Sequence, residues 1–197
     1  MTDTSQKPSR FRGFTLVELV IVMAIAAISL ALAVPAYQNT IEKRQTTAKA
    51  EELAAFLASA QGEAVKMNKL VSVALNYTDA DNWCVGANEG DAPCDCTETV
   101  TTEADYCSLN EVAAVLGSNT YARSNLSAKS ADSTFVFDPI RGTLVSGDLA
   151  APHGFEVSSD NGNWSLQVGV GATGRVKVCN PDPAKQVSGF KTCTGSI

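Results

Sequence analysis

The apolar positions change rhythm three times along the chain. From Phe14 to Val34, about 21 residues, only Thr15, Glu18 and Ser29 are polar. A helix of that length spans a hydrocarbon core of about 30 Å. Further on, Leu53, Phe56, Leu57, Ala60, Ala64 and Met67 follow one another at i, i+3, i+4, i+7, i+11 and i+14. That spacing is a single apolar stripe on an amphipathic helix. Ala48, Ala50, Ala54, Ala55 and Ala58 favour the helix. Glu42, Lys43, Arg44, Lys49, Glu51, Glu52 and Lys66 are expected mostly off the stripe. One helix from Phe14 to about Asn68 is predicted, with Pro35 bending it rather than ending it.

After Leu70 the period falls to two. "LVSVALNY" (70–77) alternates and is rich in β-branched residues, so it reads as a first strand. Residues 79–107 are polar, acidic and cysteine-bearing, and read as a stapled loop region that can hold short strands. "STFVFDPIRGTLV" (133–145) reads as strand, turn, strand, with Asp138-Pro139 and Arg141-Gly142 marking the turn. Residues 153–179 read as strand, turn, strand, strand, through hairpin turns at 160–163 and 171–174. In "RVKV", Arg175 and Lys177 alternate outward with inward Val176 and Val178. The fold class is α+β: a long N-terminal helix packed on antiparallel sheet.

Charge sharpens this picture. The 197 residues carry a net charge of -6, of which residues 1–13 contribute +2 and the remainder therefore -8. So acidic a body disfavours general nucleic-acid binding, which needs Lys and Arg against phosphate. Basic residues ahead of an apolar run keep the N-terminus cytoplasmic and send the rest across the membrane. The run is longer than a secretory signal core and continues into a helical pattern, so an anchor is expected rather than a cleaved signal peptide.

Six cysteines, Cys84, Cys94, Cys96, Cys107, Cys179 and Cys193, all follow the apolar run. An even number beyond a membrane segment fits disulfides in an oxidising space. The Cys94-x-Cys96 spacing and the lone His153 do not suit zinc. Cys179 and Cys193 are expected to close a tail loop of about 15 residues, worth about 3 kcal/mol on the chain-entropy estimate. Among the other four, a Cys94–Cys96 ring would be strained. The two remaining pairings stay open.

No catalytic constellation is evident, and no cofactor or metal is expected. His153 sits in a Pro-His-Gly turn without a partner for proton transfer. "GVGATG" lacks the Lys-Ser/Thr and helix of a phosphate loop, so it reads as a β-turn. Asp79, Asp81, Glu89, Asp91, Asp95, Glu98, Glu103 and Asp105 have no EF-hand spacing and read as solvated loop charge. Residues 174–197 hold Arg175, Lys177, Lys185 and Lys191 against Asp182, net +3 on an acidic protein.

"RGFTLVELVIVMAIAAI" resembles the N-terminal motif of type IV pilins and type II secretion pseudopilins. The resemblance implies that an inner-membrane prepilin peptidase cuts between Gly13 and Phe14 and that Phe14 is then N-methylated. It implies that Glu18 pairs with the terminal amine of a neighbour during filament assembly, and it puts Pro35 where pilins bend their helix. A carboxylate in an apolar bundle needs such a positive partner. "TFVFDPIRGTL" and "WSLQVGVGATGRVKV" resemble hairpins of the GspH/FimT-type minor pilins, and Trp83 with Gly86 is similar to their Trp-x-x-Gly element.

The segment 84–107 and the tail after Cys179 depart from the family pattern. Residues 1–13 are then a removed leader, 14–35 a transmembrane and filament-core helix, 36–69 its amphipathic continuation, and 70–197 a β-rich domain. The expected product is a non-enzymatic minor pilin that helps initiate or cap a pilus. It would be single-pass in the inner membrane with a periplasmic domain, and then part of the extracellular tip. Its expected partners are the peptidase, other minor pilins, the major pilin, the assembly platform and membrane lipid. The alternatives are a type II secretion pseudopilin and a major pilin, the latter disfavoured by the resemblance of the C-terminal half to minor pilins and by an acidic insert that would repel itself in a repeating filament. The resemblance also raises DNA binding at Arg175, Lys177 and Lys191, but Lys177 lacks the guanidinium fork, and ordinary charge on an edge strand is preferred.

Overall fold

The computed structural model describes residues 13–77, 82–118, 124–128, 134–145 and 153–193, with backbone alone at 32, 35, 36, 124, 127, 128 and 153. One helix, α1 (Leu16–Met67), is followed by strands β1 (Val71–Tyr77), β2 (Trp83–Glu89), β3 (Ser108–Leu109), β4 (Val112–Ala113), β5 (Val115–Gly117), β6 (Ser124–Ala128), β7 (Thr134–Phe137), β8 (His153–Ser159), β9 (Ser165–Val170) and β10 (Val176–Cys179). The chain forms two compact units, one up to Thr40 and one from Ile41 onward. The backbone at Pro35 is helical, so the proline does not end α1.

Local chemistry sets both helix ends. Thr15 Oγ1 accepts from the Glu18 backbone N–H at 3.2 Å, which caps the first turn. At the other end Asn68 adopts a positive φ of 55°. Asn68 N–H then donates to Val65 O and Lys69 N–H to Ala64 O, which satisfies two of the last four carbonyls of the helix.

In the larger unit, Ala50, Leu53, Leu57, Ala60 and Ala64 of α1 are buried in a single core with both sheets. Phe56 and Met67 of the expected stripe pack against this core from its margin. The first sheet runs β5-β2-β1-β7 and the second β10-β9-β8-β6, both antiparallel throughout. β3 and β4 form a separate small hairpin. The rings of Phe135 and Phe155, 6.3 Å apart, join the two sheets inside the core. The architecture is the predicted α+β, a long N-terminal helix on antiparallel sheet.

Three sequence expectations need correction. Residues 83–89 are not loop: β2 is a central strand in register with β1 from Val71↔Glu89 to Tyr77↔Trp83. Its polarity pattern misled because both faces are covered. Trp83, Val85 and Ala87 face the core. Cys84 lies on the other face, in a buried cluster with Cys94, Cys96 and Cys107. The structure pairs Cys84 with Cys96, Cys94 with Cys107, and Cys179 with Cys193. The second correction concerns His153, which opens β8 opposite Val170 instead of lying in a turn; its side chain lies outside the described ones. The third is the second arm of the 133–145 hairpin, which shrinks to one bridge between Phe137 and Leu144.

Gly86 explains how the double staple fits. A Cβ there would lie 2.2 Å from Cys107 Sγ and 3.0 Å from Cys94 Sγ. The loop carrying Cys94 and Cys96 therefore lies flat on the sheet only because β2 has no side chain at that point. Ser72 Oγ donates to Ala92 O at 2.6 Å and ties the same loop to β1.

Candidate functional site

Gly13 and Phe14 precede the first helical turn and have no regular secondary structure. Both are exposed, Phe14 to 75%. A Cβ at Gly13 would meet nothing within 4 Å. The bond between them is thus exposed and lies outside the helix.

From Phe14 to Ala31 every described side chain is exposed, including Leu16 at 80%, Val20, Ile21, Val22, Ile25, Ile28 and Leu30. Among the described residues no helix is long and apolar enough to cross a membrane. So much exposed apolar surface marks a segment built to contact lipid or other helices. The polar groups within it are few. Ser29 Oγ donates to Ile25 O at 2.9 Å and is satisfied within the helix. Glu18 is exposed on the first turn. The sequence Thr15-x-x-Glu18 also has the spacing of a capping box.

Lys49 is not where the sequence placed it. It is buried to 1% exposure, and its Nζ lies 4.5 Å from the Trp83 ring centroid. The ring face offsets part of the desolvation cost. Burial pushes its pKa down from 10.5 to about 8, against the opposing pull of the Glu52 carboxylate. The unfolded chain therefore binds the extra proton more tightly. Below pH 8 the folded state bears the full cost, up to about 3 kcal/mol. That cost disappears as pH rises from 8 to 10.5, so stability rises across this window. Chemical denaturation of the wild type should show that rise, and Lys49→Met should flatten it. The same slope in both proteins would contradict a buried, charged Lys49. The missed signal was position: Lys49 sits four residues before Leu53 and joins the buried face.

A second cluster joins three elements. Gln61 of α1 donates from Nε2 to Gly142 O at 2.7 Å. Gly142 ends the turn after β7, where Asp138 Oδ1 accepts from the N–H groups of Ile140 and Arg141, each at 2.8 Å. Gly174, at φ +78°, lies in the turn between β9 and β10. A Cβ on Gly174 would meet Gly142 O at 1.8 Å and Gln61 Nε2 at 2.5 Å. The two family-like hairpins thus meet on one glutamine, and both glycines are required for that approach.

Arg175, Lys177 and Lys191 come together at the edge of the second sheet. All three are exposed and line one groove of about 670 Å³ between β10 and the tail. Asn180, buried to 1%, builds the tail wall. Its Nδ2 donates to Val187 O at 3.1 Å and to Phe190 O at 2.6 Å, and its Oδ1 accepts from Val187 N–H at 2.8 Å.

The acidic loop residues do not converge: among the described residues no group of three His, Cys, Asp or Glu could hold a metal ion. Asp79 and Asp81 lie outside the described residues. Asp95 instead caps its own turn, accepting from Thr97 Oγ1 at 2.7 Å and from Thr97 N–H at 2.9 Å, and these bonds lower its pKa.

Residues 49–185 match the family described as type II transport protein GspH, and residues 8–34 match the prokaryotic N-terminal methylation motif. Among individual proteins, the chain is 44% identical over 75 residues to fimbrial protein Q of Moraxella bovis, covering 36% of this chain and 45% of that one. It is 59% identical over 44 residues to the type IV major alpha-pilin of the same organism, covering 22% and 28%. The chain spans less than half the length of the curated relatives it matches. A crystal structure of the type IV minor pilin FimU of Pseudomonas aeruginosa aligns over 76% of this chain and 96% of its own, at 18% identity and a TM-score of 0.48.

Proposed function

We propose, from the premise that this chain belongs to the GspH family and carries its N-terminal methylation motif, that it is a minor pilin subunit helping to initiate or cap a type IV pilus. It is made as a precursor, cut between Gly13 and Phe14, and methylated on the new Phe14 amine. The observation that carries this reading is the exposed apolar stretch of α1 with Glu18 on its first turn. An apolar helix can leave the bilayer only if other helices replace the lipid. A carboxylate in that setting needs a cation beside it. Cutting at Gly13 creates one, a terminal amine, on every subunit.

Residues 1–13 are then a leader, 14–35 the membrane and filament-core helix with its bend at Pro35, 36–69 the helix that carries the domain, and 70–197 the lateral-contact domain outside the membrane. Peptidase, other minor pilins, the major pilin, the assembly platform and lipid are the partners this requires. The role is structural, and no residue is assigned a catalytic part.

A second reading, a pseudopilin of type II secretion, is favoured by the family's own description as a transport protein. Fractionation separates the two. A chain lacking residues 1–13, recovered in sheared surface filaments, fits the pilus. The same processed chain confined to the envelope, with secretion lost on deletion, fits the pseudopilin. A full-length chain retaining its leader contradicts both.

A further inference from the structure

β10 is the outer strand of its sheet and pairs only with β9, from Val176↔Val170 to Cys179↔Gln167. The tail approaches it from the open side but joins it only at the far end. There Asn180 bridges to Thr192, Asn180 N–H donates to Lys191 O, Cys193 N–H donates to Asn180 O, and Cys179 is bonded to Cys193. Between these strands the groove stays open, with Arg175, Lys177 and Lys191 exposed and Val176, Val178 and Phe190 half-buried along it. No acidic residue lines it, and none of the three cations has an ion pair among the described residues.

An open strand edge presents unpaired backbone donors and acceptors at fixed spacing, a template for another extended chain. Charge decides which chain. Two copies of this edge would bring Arg175 and Lys177 against their own kind, so self-pairing is opposed. An acidic strand would meet three cations. We propose that this groove takes an extended acidic segment of a partner protein, added as a strand against β10. Its carboxylates would sit opposite Arg175 and Lys177, and its apolar side chains opposite Val176 and Val178, because side chains alternate with period two.

DNA is the less fitting occupant. The overall charge of -6, with +2 in residues 1–13 and +3 in residues 174–197, leaves -11 on the residues between. That field opposes a phosphate chain and an acidic peptide alike, but only the peptide has backbone N–H and C=O groups to pair with the open edge of β10. The groove's one ring, Phe190, is half-buried, where base stacking would want it exposed.

The inference goes beyond the assembly reading and does not depend on it, since binding to the sheet edge requires neither cleavage nor filament formation. The test uses the full chain in detergent micelles and a labelled heptapeptide alternating valine and glutamate, followed by fluorescence anisotropy. The probes for comparison are the valine–lysine heptapeptide, the valine–glutamate peptide with alternate amides N-methylated, and a single-stranded oligonucleotide of similar charge. The valine–glutamate peptide should bind, and N-methylation should weaken it at least tenfold, because the methyl groups block strand pairing and leave the charges alone. Lys177→Glu with Lys191→Glu should weaken it at least tenfold and turn preference toward the valine–lysine peptide, a gain that an unfolded variant would not show. No binding, equal binding of the N-methylated peptide, or tighter binding of the oligonucleotide would each overturn the proposal.

Discussion

Glu18→Ala is expected to remain in the membrane and to disappear from filaments. Removing a carboxylate from an apolar helix makes insertion easier, by about 3 kcal/mol at a bilayer centre and less near its margin. On the proposed pairing, the same change leaves the Phe14 amine of a neighbouring subunit without its partner in the filament. Breaking a buried ion pair from one side costs about 3–5 kcal/mol, so incorporation should fall at least a hundredfold.

A local role for Glu18 competes with this. Thr15 Oγ1 already accepts from Glu18 N–H, and a glutamate three residues after an N-cap threonine is a helix-capping pattern. Glu18→Gln separates the two, because glutamine serves in a capping box but carries no charge. If the carboxylate pairs with an amine, Gln fails as Ala does. Filament incorporation restored by Gln would assign Glu18 to the cap.

Gly174→Ala should be the most damaging single methyl in the globular part. Its Cβ would fall 1.8 Å from Gly142 O, at a φ of +78° that L side chains rarely adopt. The turn must then move, and the Gln61–Gly142 hydrogen bond is lost with it. A loss of about 3 kcal/mol or more is expected. In a chain of this size that lowers Tm by about 10 °C.

Gly162→Ala is the control. It also has a positive φ, +69°, but open space around the new methyl, so the cost should be about 1 kcal/mol. Thermal unfolding followed by near-UV circular dichroism checks both. Equal shifts would show that the meeting of the two hairpins on Gln61 adds nothing beyond backbone strain.

What the sequence revealed and what it hid follow from which contacts are local. The apolar run from Phe14, the stripe from Leu53 and the hairpins of 153–179 obey short periods, and each appears in the structure as α1 or as β8, β9 and β10. β2 did not, because period-two reading assumes one wet face. Here the disulfide loop dries the second face, and Cys84 and Gly86 take positions where polar residues would be expected.

The cysteine pairing was equally non-local. Both crossed and sequential pairings fit the spacing, and only the loop's path over β2 selects Cys84–Cys96 with Cys94–Cys107. Lys49 looked like surface charge because its partner, the Trp83 ring, lies 34 residues away in the chain. Arg175 and Lys177 were visible as outward residues of one strand. Lys191 joins them because the Cys179–Cys193 bond and the hydrogen bonds of Asn180 fold the tail back.

Processing at the Gly13–Phe14 bond is the step on which the rest depends, since it makes the amine that Glu18 is said to meet. It is read most directly from the N-terminal peptide of the chain recovered from filaments or, failing filaments, from the envelope. Tandem mass spectrometry of that peptide should find it beginning at Phe14 with one methyl group on the α-amine. A chain that still carries residues 1–13, or one cut beyond Pro35, would contradict the account.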